Sequence, residues 1–226
     1  MKKKIIIVAM DEELEAIQNR FENVEEKKLK DIIYYEGKIN GKEYILTKCG
    51  VGKVNSARVT QMLIDNFDVE YIMNVGIAGS LNDELEIGDI VIGKKLVQHD
   101  FDITAFGHEK GYITDTGRFF ESDEKLIEKY NKPSNEYKII IGIIASGDIF
   151  CNQVEMKDKI RSKFGADCVE MEGAAIAQVC TLNKIPFIVI RSISDKPNGR
   201  NHIDMEHFTQ MASKRAADLV IKGENA

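Results

Sequence analysis

Short, largely apolar runs recur along this chain and constrain its fold more than any other feature. They are rich in β-branched residues, and the clearest are Ile5–Ala9, Tyr71–Val75, Ile139–Ser146 and Phe187–Ile193. Such runs are typical of strands buried on both faces, as in a largely parallel sheet. Segments with helical spacing lie between them. The sequence therefore predicts an α/β fold, a single domain over residues 1–226, with a central mixed, twisted β-sheet flanked by helices.

The connecting elements can be predicted from spacing and turn residues. Asn40-Gly41 joins two strand patterns, at residues 32–39 and 42–49, which predicts a type I′ hairpin. Further strands are predicted at residues 89–92, 96–103 and 168–171. Residues 106–118 are polar and rich in glycine, and predict a long loop of the kind that often carries function. Helices are predicted at residues 11–20, 53–65, 123–130, 157–164, 173–182 and 205–221.

Charge and cysteine usage exclude several classes of protein. The chain has 31 Lys and Arg against 37 Asp and Glu, with a net charge of -6, so it lacks the basic surface of a nucleic-acid binder or a polybasic membrane anchor. No stretch approaches the ~18 apolar residues of a membrane span. The four cysteines are widely spaced without a C-x-x-C pair, which predicts free thiols. We expect a soluble cytoplasmic protein that binds neither nucleic acid nor membrane.

Familiar phosphate and metal motifs are absent. Gly52-Lys53 does not complete a P-loop, because Thr47 stands where the leading glycine belongs and Val54 where Ser or Thr belongs. The histidines show no spacing typical of metal ligands, so the sequence predicts no metal. They are His99, His108, His202 and His207.

Carboxylates and glycines follow the predicted strands. The clusters are Met10–Glu13, Gly76–Gly79, Ser146–Phe150, Glu170–Glu172 and Arg191–Asp195. Ligands of open α/β sheets bind beyond the carboxyl ends of the strands. The sequence therefore predicts that a binding site forms where these five clusters meet.

Each of these clusters also has a purely structural interpretation. The acids at residues 11–13 suit a helix N-terminus, which is the better interpretation when they are taken alone, and Asp195 fits a helix N-cap equally well. Phe150 is more typical of a core residue than of a ligand platform. Glu170 and Glu172 are predicted to share one face of a strand. Buried carboxylates need partners, so either Arg191 neutralises them or they bind a polyol such as ribose, and both alternatives stay open.

Taken together, five segments resemble the nucleoside phosphorylase superfamily, in order and at its spacing. They are Ala9–Glu13, Asn74–Gly79, Ser146–Asp148, Val169–Ala175 and Arg191–Asp195. The start of the chain and Thr104-Ala105-Phe106-Gly107 favour its 5′-methylthioadenosine/S-adenosylhomocysteine nucleosidase branch. The resemblance implies a three-layer α/β/α fold. It also implies hydrolysis of the bond between adenine N9 and ribose C1′ in those two nucleosides, with 5′-deoxyadenosine a further candidate, and no cofactor.

The family pattern implies two catalytic carboxyl groups. Asp195 would give a proton to adenine N7, with Ser194 orienting it, and Glu13 would activate the attacking water. Glu172 would bind the ribose hydroxyls, and Arg191 would help to hold Glu172 and the water. The chemistry independently requires an acid and a base. Adenine leaves poorly as an anion and must be protonated, and water is a weak nucleophile and must be activated, as in an inverting glycosidase.

The same pattern implies contacts to the base and the sugar. Phe150 would stack on adenine, while the backbone of Cys151 reads the edge of the base. Glu170 would assist at the ribose, Met171 would pack on the sugar, and Gly79 would let the backbone approach the ligand.

The resemblance also implies a site that two protomers share. Met10, Val51 and Met205 would contact the 5′-alkylthio group, and the partner of a homodimer would supply Phe106 and His108. His108 and Met205 depart from the aromatic residues usual in the family, which leaves the preferred 5′ substituent open.

Two rival functions follow from the same residues. A phosphorylase of this fold would carry arginine and serine where this chain has Asn74 and Ile77, and isoleucine cannot donate a hydrogen bond to phosphate. The position of Ile77 is expected beside the water and the sugar. A non-catalytic nucleoside sensor would need neither Glu13 nor Asp195. Hydrolysis is therefore the favoured prediction.

Overall fold

Strands and helices alternate along the part of the chain that the computed structural model describes, residues 2–196 and 201–225, with residues 201–207 described as backbone only. The strands are β1 (Lys3–Val8), β2 (Glu22–Leu29), β3 (Ile32–Ile39), β4 (Lys42–Lys48), β5 (Val69–Ser80), β6 (Ile90–Gln98), β7 (Phe120–Glu121), β8 (Ile139–Ser146), β9 (Cys168–Glu170) and β10 (Phe187–Asp195). The helices are α1 (Asp11–Gln18), α2 (Lys53–Asn66), α3 (Glu124–Tyr130), α4 (Val154–Phe164), α5 (Gly173–Asn183) and α6 (Asn201–Glu224). None of the helices so described is both long and apolar enough to cross a membrane.

The strands form one mixed sheet that closes partly on itself. β10 pairs with β6 in antiparallel and with β5 in parallel, so that β5, β10, β6, β8 and β9 make a ring. From β5 the sheet continues outward through β1, β4, β3 and β2, and β7 pairs with β6. The mixed α/β sheet is confirmed, but its closure was not predicted, since the pairing of two distant strands leaves no local pattern.

Alternate side chains of β1 show how the layers are built. Ile5 and Ile7 join a buried apolar cluster with residues of α2 and α5, whereas Ile6 and Val8 join a second cluster with residues of α1, α3 and α6. Successive side chains of a strand point to opposite faces, so helices cover the sheet on both sides. Each buried isoleucine contributes roughly 1.5–3 kcal/mol of hydrophobic stabilisation. The three-layer α/β/α arrangement is therefore confirmed.

The hairpin prediction is confirmed, one edge strand was missed, and the prediction of two separate strands at residues 89–92 and 96–103 is wrong. Asn40 and Gly41 have φ of 50° and 74°, the left-handed pair that a type I′ turn requires. β2 was not predicted, because an exposed edge strand rich in Glu and Lys lacks an apolar face. β6 is one strand where two were predicted, and a register shift against β8 between Gly93 and Lys95 absorbs its irregular middle. A loop follows β6, as predicted, with a single 3-10 turn at Thr104–Phe106.

A buried polar cluster holds the end of α6 at the amino ends of β4 and β5. Glu224 accepts hydrogen bonds from Lys129 and Tyr130. The Tyr71 hydroxyl lies 2.9 Å from that of Tyr44 and 3.0 Å from that of Tyr130. Burial alone would raise the pKa of Glu224, but the hydrogen bonds from Lys129, Tyr130 and Tyr44 outweigh it and hold the pKa at about 2. The cluster is a structural clamp, on the side of the sheet away from the predicted site.

Candidate active site

A cleft opens where β1, β5 and β10 end and meet β9. We call it the strand-end cleft, and a small recess beside it adds Ile149 and Cys151. The sequence predicted that five strand-end clusters would converge, and residues of all five line the cleft or its recess. The cleft is lined by Ala9, Met10, Glu13, Val51, Ile77, Ala78, Gly79, Phe150, Val169, Glu170, Met171, Glu172, Ser194 and Asp195.

Glu13 both caps a helix and faces the cleft. It is buried in the first turn of α1, where its Oε2 accepts hydrogen bonds from the backbone N–H groups of Ala9 (2.8 Å) and Met10 (3.0 Å). Its Oε1 accepts a third from the N–H of Ile77 (2.9 Å). A glutamate that returns to the N-terminal backbone of its own helix is a capping arrangement. The capping interpretation is therefore correct, and the same geometry fixes the carboxyl group at the cleft wall.

The surroundings of Glu13 raise its affinity for a proton. Burial raises the pKa of Glu13, although the charge of Arg191 and the three backbone hydrogen bonds lower it. Gly76 permits the close approach, because a Cβ at that position would overlap Oε1 of Glu13. A carboxyl group with a raised pKa is better matched to accepting a proton near neutral pH.

Asp195 and Ser194 both line the cleft, although consecutive residues of a regular strand face opposite ways. A register shift of β10 against β5 between Ile193 and Asp195 makes this possible, as irregularities of this kind re-aim side chains beside active sites. The Ser194 hydroxyl donates to Oδ1 of Asp195 at 2.8 Å. Gly79 leaves room, since a Cβ there would lie 3.1 Å from Oδ2 of Asp195. α6 begins at Asn201, so the interpretation of Asp195 as its N-cap is wrong.

Glu170 and Glu172 do not share a strand face, which corrects the prediction. β9 ends at Glu170, and Glu172 is the N-cap of α5 with φ −132° and ψ −42°. Both carboxylates nevertheless approach the buried guanidinium of Arg191. Its Nη2 forms an ion pair with Glu170 and lies 3.8 Å from Oε2 of Glu172. The neutralising alternative therefore holds for Glu170.

The two glutamates differ in how completely their oxygens are used. Glu170 accepts from the Ser146 hydroxyl and from the N–H groups of Glu172 (3.1 Å) and Gly173 (2.7 Å). Within the described part of the chain, Glu172 accepts one hydrogen bond, from the N–H of Gly52 at 2.9 Å. Burial, and next the negative charge of Glu170, raise the pKa of Glu172 to about 8. Of the two, Glu172 keeps the greater capacity to bind a hydroxyl group of a ligand.

Some residues that hydrogen-bond the site side chains could not be predicted, because their partners are distant in the chain. Ser146 was noted only as part of a strand end, yet its hydroxyl also accepts from the N–H of Ala174 at 2.7 Å. Asn74 accepts from Arg191 and donates to the Ile7 carbonyl at 2.9 Å. The strand-end motifs that contain Ser146 and Asn74 were the available signal. None existed for Gly52, which binds Glu172 from 120 residues away.

The predicted base and 5′ contacts divide into three groups. Met10, Val51, Ile77, Gly79, Phe150 and Met171 line the cleft, and Cys151 lines the recess. Phe150 is 41% exposed, so its interpretation as a core residue is wrong. Phe106, 81% exposed, and His108, whose ring stacks on Tyr112, do not line the cleft of their own chain. Met205 falls in residues 201–207, so its side chain lies outside the described residues.

The cleft is acidic. Its described lining includes Glu13, Glu170, Glu172 and Asp195 and no lysine or arginine, and the charge of Arg191 behind it is taken up by Glu170 and Glu172. In the described part of the chain, no three His, Cys, Asp or Glu side chains come together as a metal site would require. This arrangement can accept and donate protons and can bind hydroxyl groups.

Comparison with known proteins agrees with this geometry. The model of the phosphorylase superfamily matches residues 3–222. A 5′-methylthioadenosine/S-adenosylhomocysteine nucleosidase of Geobacillus sp. (strain WCH70) is 39% identical over 223 residues, 97% of this chain and 96% of that protein. The crystal structure of the Helicobacter pylori nucleosidase of the same name superposes with a TM-score of 0.94, at 34% identity, over 99% of this chain and 98% of that one. A structure described as futalosine hydrolase of H. pylori superposes with a TM-score of 0.94 at 34% identity. The match covers 99% of this chain and 97% of that one.

Proposed function

Because this chain belongs to the 5′-methylthioadenosine/S-adenosylhomocysteine nucleosidase family of the phosphorylase superfamily, we propose that it hydrolyses the N-glycosidic bond of those two nucleosides. The products are adenine and the 5-substituted ribose, and 5′-deoxyadenosine is a further candidate substrate. One observation carries the proposal: two buried carboxyl groups, those of Glu13 and Asp195, line a single cleft from different strand ends.

The two carboxyl groups divide the proton transfers between them. Asp195 donates its proton to adenine N7 as the bond to C1′ breaks, so that adenine departs as a neutral base. Glu13 takes a proton from the water whose oxygen attacks C1′ from the other side of the ribose. Such a positioned acid or base contributes about 10²–10⁴-fold to the rate. Ser194 holds Asp195 in orientation through the 2.8 Å hydrogen bond to Oδ1.

Glu172 binds the ribose hydroxyls, and its incomplete set of hydrogen bonds supports this role. Glu170 and Arg191 act through Glu172 as positioning residues. Met171 packs against the sugar. The carboxylates around the ring also stabilise the positive charge that develops at C1′ as adenine leaves.

Adenine lies between the recess and the cleft. Phe150 stacks on its face, the backbone of Cys151 reads its edge, and Gly79 leaves space for it. The 5′-alkylthio group lies on the side of Met10 and Val51, with Met205 assigned there by the family pattern. Ile77 lies beside the water and the sugar, where its side chain offers no hydroxyl group.

Hydrolysis is favoured over phosphorolysis because the described lining of the cleft offers phosphate no lysine or arginine. The one cation behind it, Arg191, is paired with Glu170. The Asn74 amide is already committed to Ile7 and Arg191. An anion that leaves water without a positive partner incurs a large desolvation cost. Water, which is neutral, avoids this cost.

A homodimer completes the site in this proposal. Phe106 and His108 of one protomer reach the 5′ end of the partner's cleft, which accounts for the exposure of an aromatic side chain that its own chain leaves uncovered. The protein acts in the cytoplasm, as its four free thiols suggest for a reducing compartment. A fully active monomer in sedimentation and activity measurements would contradict the shared site.

The decisive experiment measures release of the free base, adenine from the adenosine derivatives and hypoxanthine from futalosine, with and without phosphate. The substrates are 5′-methylthioadenosine, S-adenosylhomocysteine, 5′-deoxyadenosine and futalosine, the last because of the H. pylori neighbour. We expect adenine and 5-methylthioribose from the first at a rate that phosphate does not change. Formation of 5-methylthioribose 1-phosphate would identify a phosphorylase instead. Tight binding without any release of adenine would identify a sensor.

A further inference from the structure

A second cavity, at the surface, is lined by residues that are next in the chain to some of those lining the strand-end cleft. We call it the outer groove. Its walls come from β3, the end of β4, the first turn of α1 and one face of α2. Four charged side chains line it, two acidic and two basic: Asp11, Asp31, Lys48 and Arg58. The proposed chemistry at the ribose uses none of them.

The walls of the outer groove and of the strand-end cleft are adjacent along the chain. Met10 lines the cleft and the next residue, Asp11, lines the groove, while Val51 lines the cleft and Cys49 lines the groove. Consecutive Cα atoms are about 3.8 Å apart, so the two cavities are neighbours. Burial raises the pKa of the Cys49 thiol, and the charges of Glu172 and Glu13 raise it further, which places Cys49 within electrostatic reach of the cleft.

The charged side chains of the groove form two ion pairs. Nζ of Lys48 lies 2.6 Å from Oδ1 of Asp11, and Arg58 is paired with Asp31. All four side chains are substantially exposed, and exposed ion pairs contribute only about 0.2–1 kcal/mol to stability. The fold therefore gains little from them. Two acids and two cations at one cavity mouth match a ligand that carries both an ammonium and a carboxylate group.

We propose that the outer groove binds the amino-acid end of the 5′ substituent of S-adenosylhomocysteine, with Lys48 and Arg58 at its carboxylate and Asp11 at its ammonium group. The inference rests on the proposed function and deepens it. Two methylenes separate the sulfur from the α-carbon of that substituent, so its charged groups extend roughly 4–6 Å beyond the sulfur at ordinary bond lengths. This matches the single-residue step from Met10 to Asp11. 5′-Methylthioadenosine has no such extension and leaves the groove unfilled.

The test compares kcat/KM for the two nucleosides in Lys48→Ala/Arg58→Ala and in a control. Lys95→Ala is the matched control, because Lys95 forms an equally exposed pair with Glu121 and lines neither cavity. We expect the double variant to lose about tenfold in kcat/KM for S-adenosylhomocysteine, as charge-assisted hydrogen bonds are lost, and less than twofold for 5′-methylthioadenosine. The control should change neither value.

Ionic strength gives a second readout that does not depend on substitution. Added salt should raise the KM of wild-type protein for S-adenosylhomocysteine and leave that for 5′-methylthioadenosine unchanged, since exposed charges are screened. Equal changes for the two nucleosides, or none in either experiment, would overturn the groove assignment alone. Wild-type protein that releases no adenine from either nucleoside would instead overturn the proposed function.

Discussion

Single residues carry two functions in this site, and Glu13 is the clearest case. Its carboxylate satisfies the N-terminal backbone of α1 and also faces the cleft. Asp195 is likewise set by one local device, the irregular pairing of β10 with β5. The sequence placed both side chains at strand ends, and only the resemblance to the nucleoside phosphorylase superfamily implied their roles. The direction in which each side chain points depends on local backbone geometry, which cannot be predicted from the residue types.

The role of Asp195 can be separated from its contribution to folding. We expect Asp195→Asn to keep its fold and to lose about 10²–10⁴-fold in kcat with 5′-methylthioadenosine, because an amide cannot donate the required proton. Asp89→Asn is the control, since Asp89 is a buried acid that accepts from the N–H groups of Glu86 and Lys138 at the start of β6. Near-normal kcat in Asp195→Asn would reject the residue as the acid.

Glu172 should cost stability as the pH rises. Burial and the charge of Glu170 raise its pKa in the folded protein to about 8, above the ordinary 4.5. The folded state therefore holds a proton that the unfolded state releases between these values, and stability declines over that window. Between pH 5 and pH 8 the free energy of unfolding should fall by at least about 1 kcal/mol less in Glu172→Gln than in wild type. This figure is a lower bound, because a shift of one pKa unit corresponds to about 1.4 kcal/mol. Urea unfolding at pH 5 and pH 8 measures this difference. An equal decline in wild type and Glu172→Gln would contradict the role assigned to the Glu172 proton.

At the scale of elements, β5 contributes both glycines that leave room for the carboxyl groups of Glu13 and Asp195, for which we propose catalytic roles. We expect Gly76→Ala to lower kcat/KM by about 10²-fold, because the new methyl group displaces Glu13 and misplaced catalytic groups are costly. The matched control is Gly142→Ala on β8, where the added Cβ would overlap the Asp167 carboxylate away from the cleft.

Both glycine variants should lose about 1–3 kcal/mol of stability from overpacking. Only Gly76→Ala should lose turnover, when kcat/KM and the urea midpoint are measured together. Equal turnover in the two variants would mean that Gly76 does not serve Glu13.

Strands and turns with a local sequence signal could be predicted. Strands that form only because they pair with a neighbouring strand could not. The strand at Ile139–Ser146 and the Asn40-Gly41 turn were predicted correctly, because both signals are local. β2 was missed because its side chains are charged on both faces. Glu172 was placed on a strand because period two extends naturally past Glu170, whereas the start of α5 interrupts it.

At the scale of the whole molecule, the cluster around Glu224 ties the last helix to the sheet. Its pKa of about 2 lies below the ordinary 4.5, so its contribution is present above pH 4.5 and is lost as the pH falls towards 2. We expect Glu224→Gln to lower the free energy of unfolding by about 3 kcal/mol at pH 7, as for a broken buried ion pair. The difference from wild type should shrink at pH 3.

Chemical denaturation at the two pH values measures this effect. Glu121→Gln is the control, because Glu121 pairs with Lys95 at an exposed position and should change stability by less than about 0.5 kcal/mol. Equal losses at pH 7 and pH 3 would show that the charge of Glu224 is not what stabilises the helix end.

The charged outer strand has a consequence for the protein at high concentration. Ring closure hides the hydrogen-bonding edges of the five inner strands, so β2 is the long strand left with one edge unpaired in the described sheet. An open edge is a template for fibrillar growth, and a border of glutamate and lysine opposes it through desolvation and repulsion. These charges therefore oppose edge-to-edge association of molecules through β2 at high concentration. Their loss would favour amyloid-like stacking at that edge.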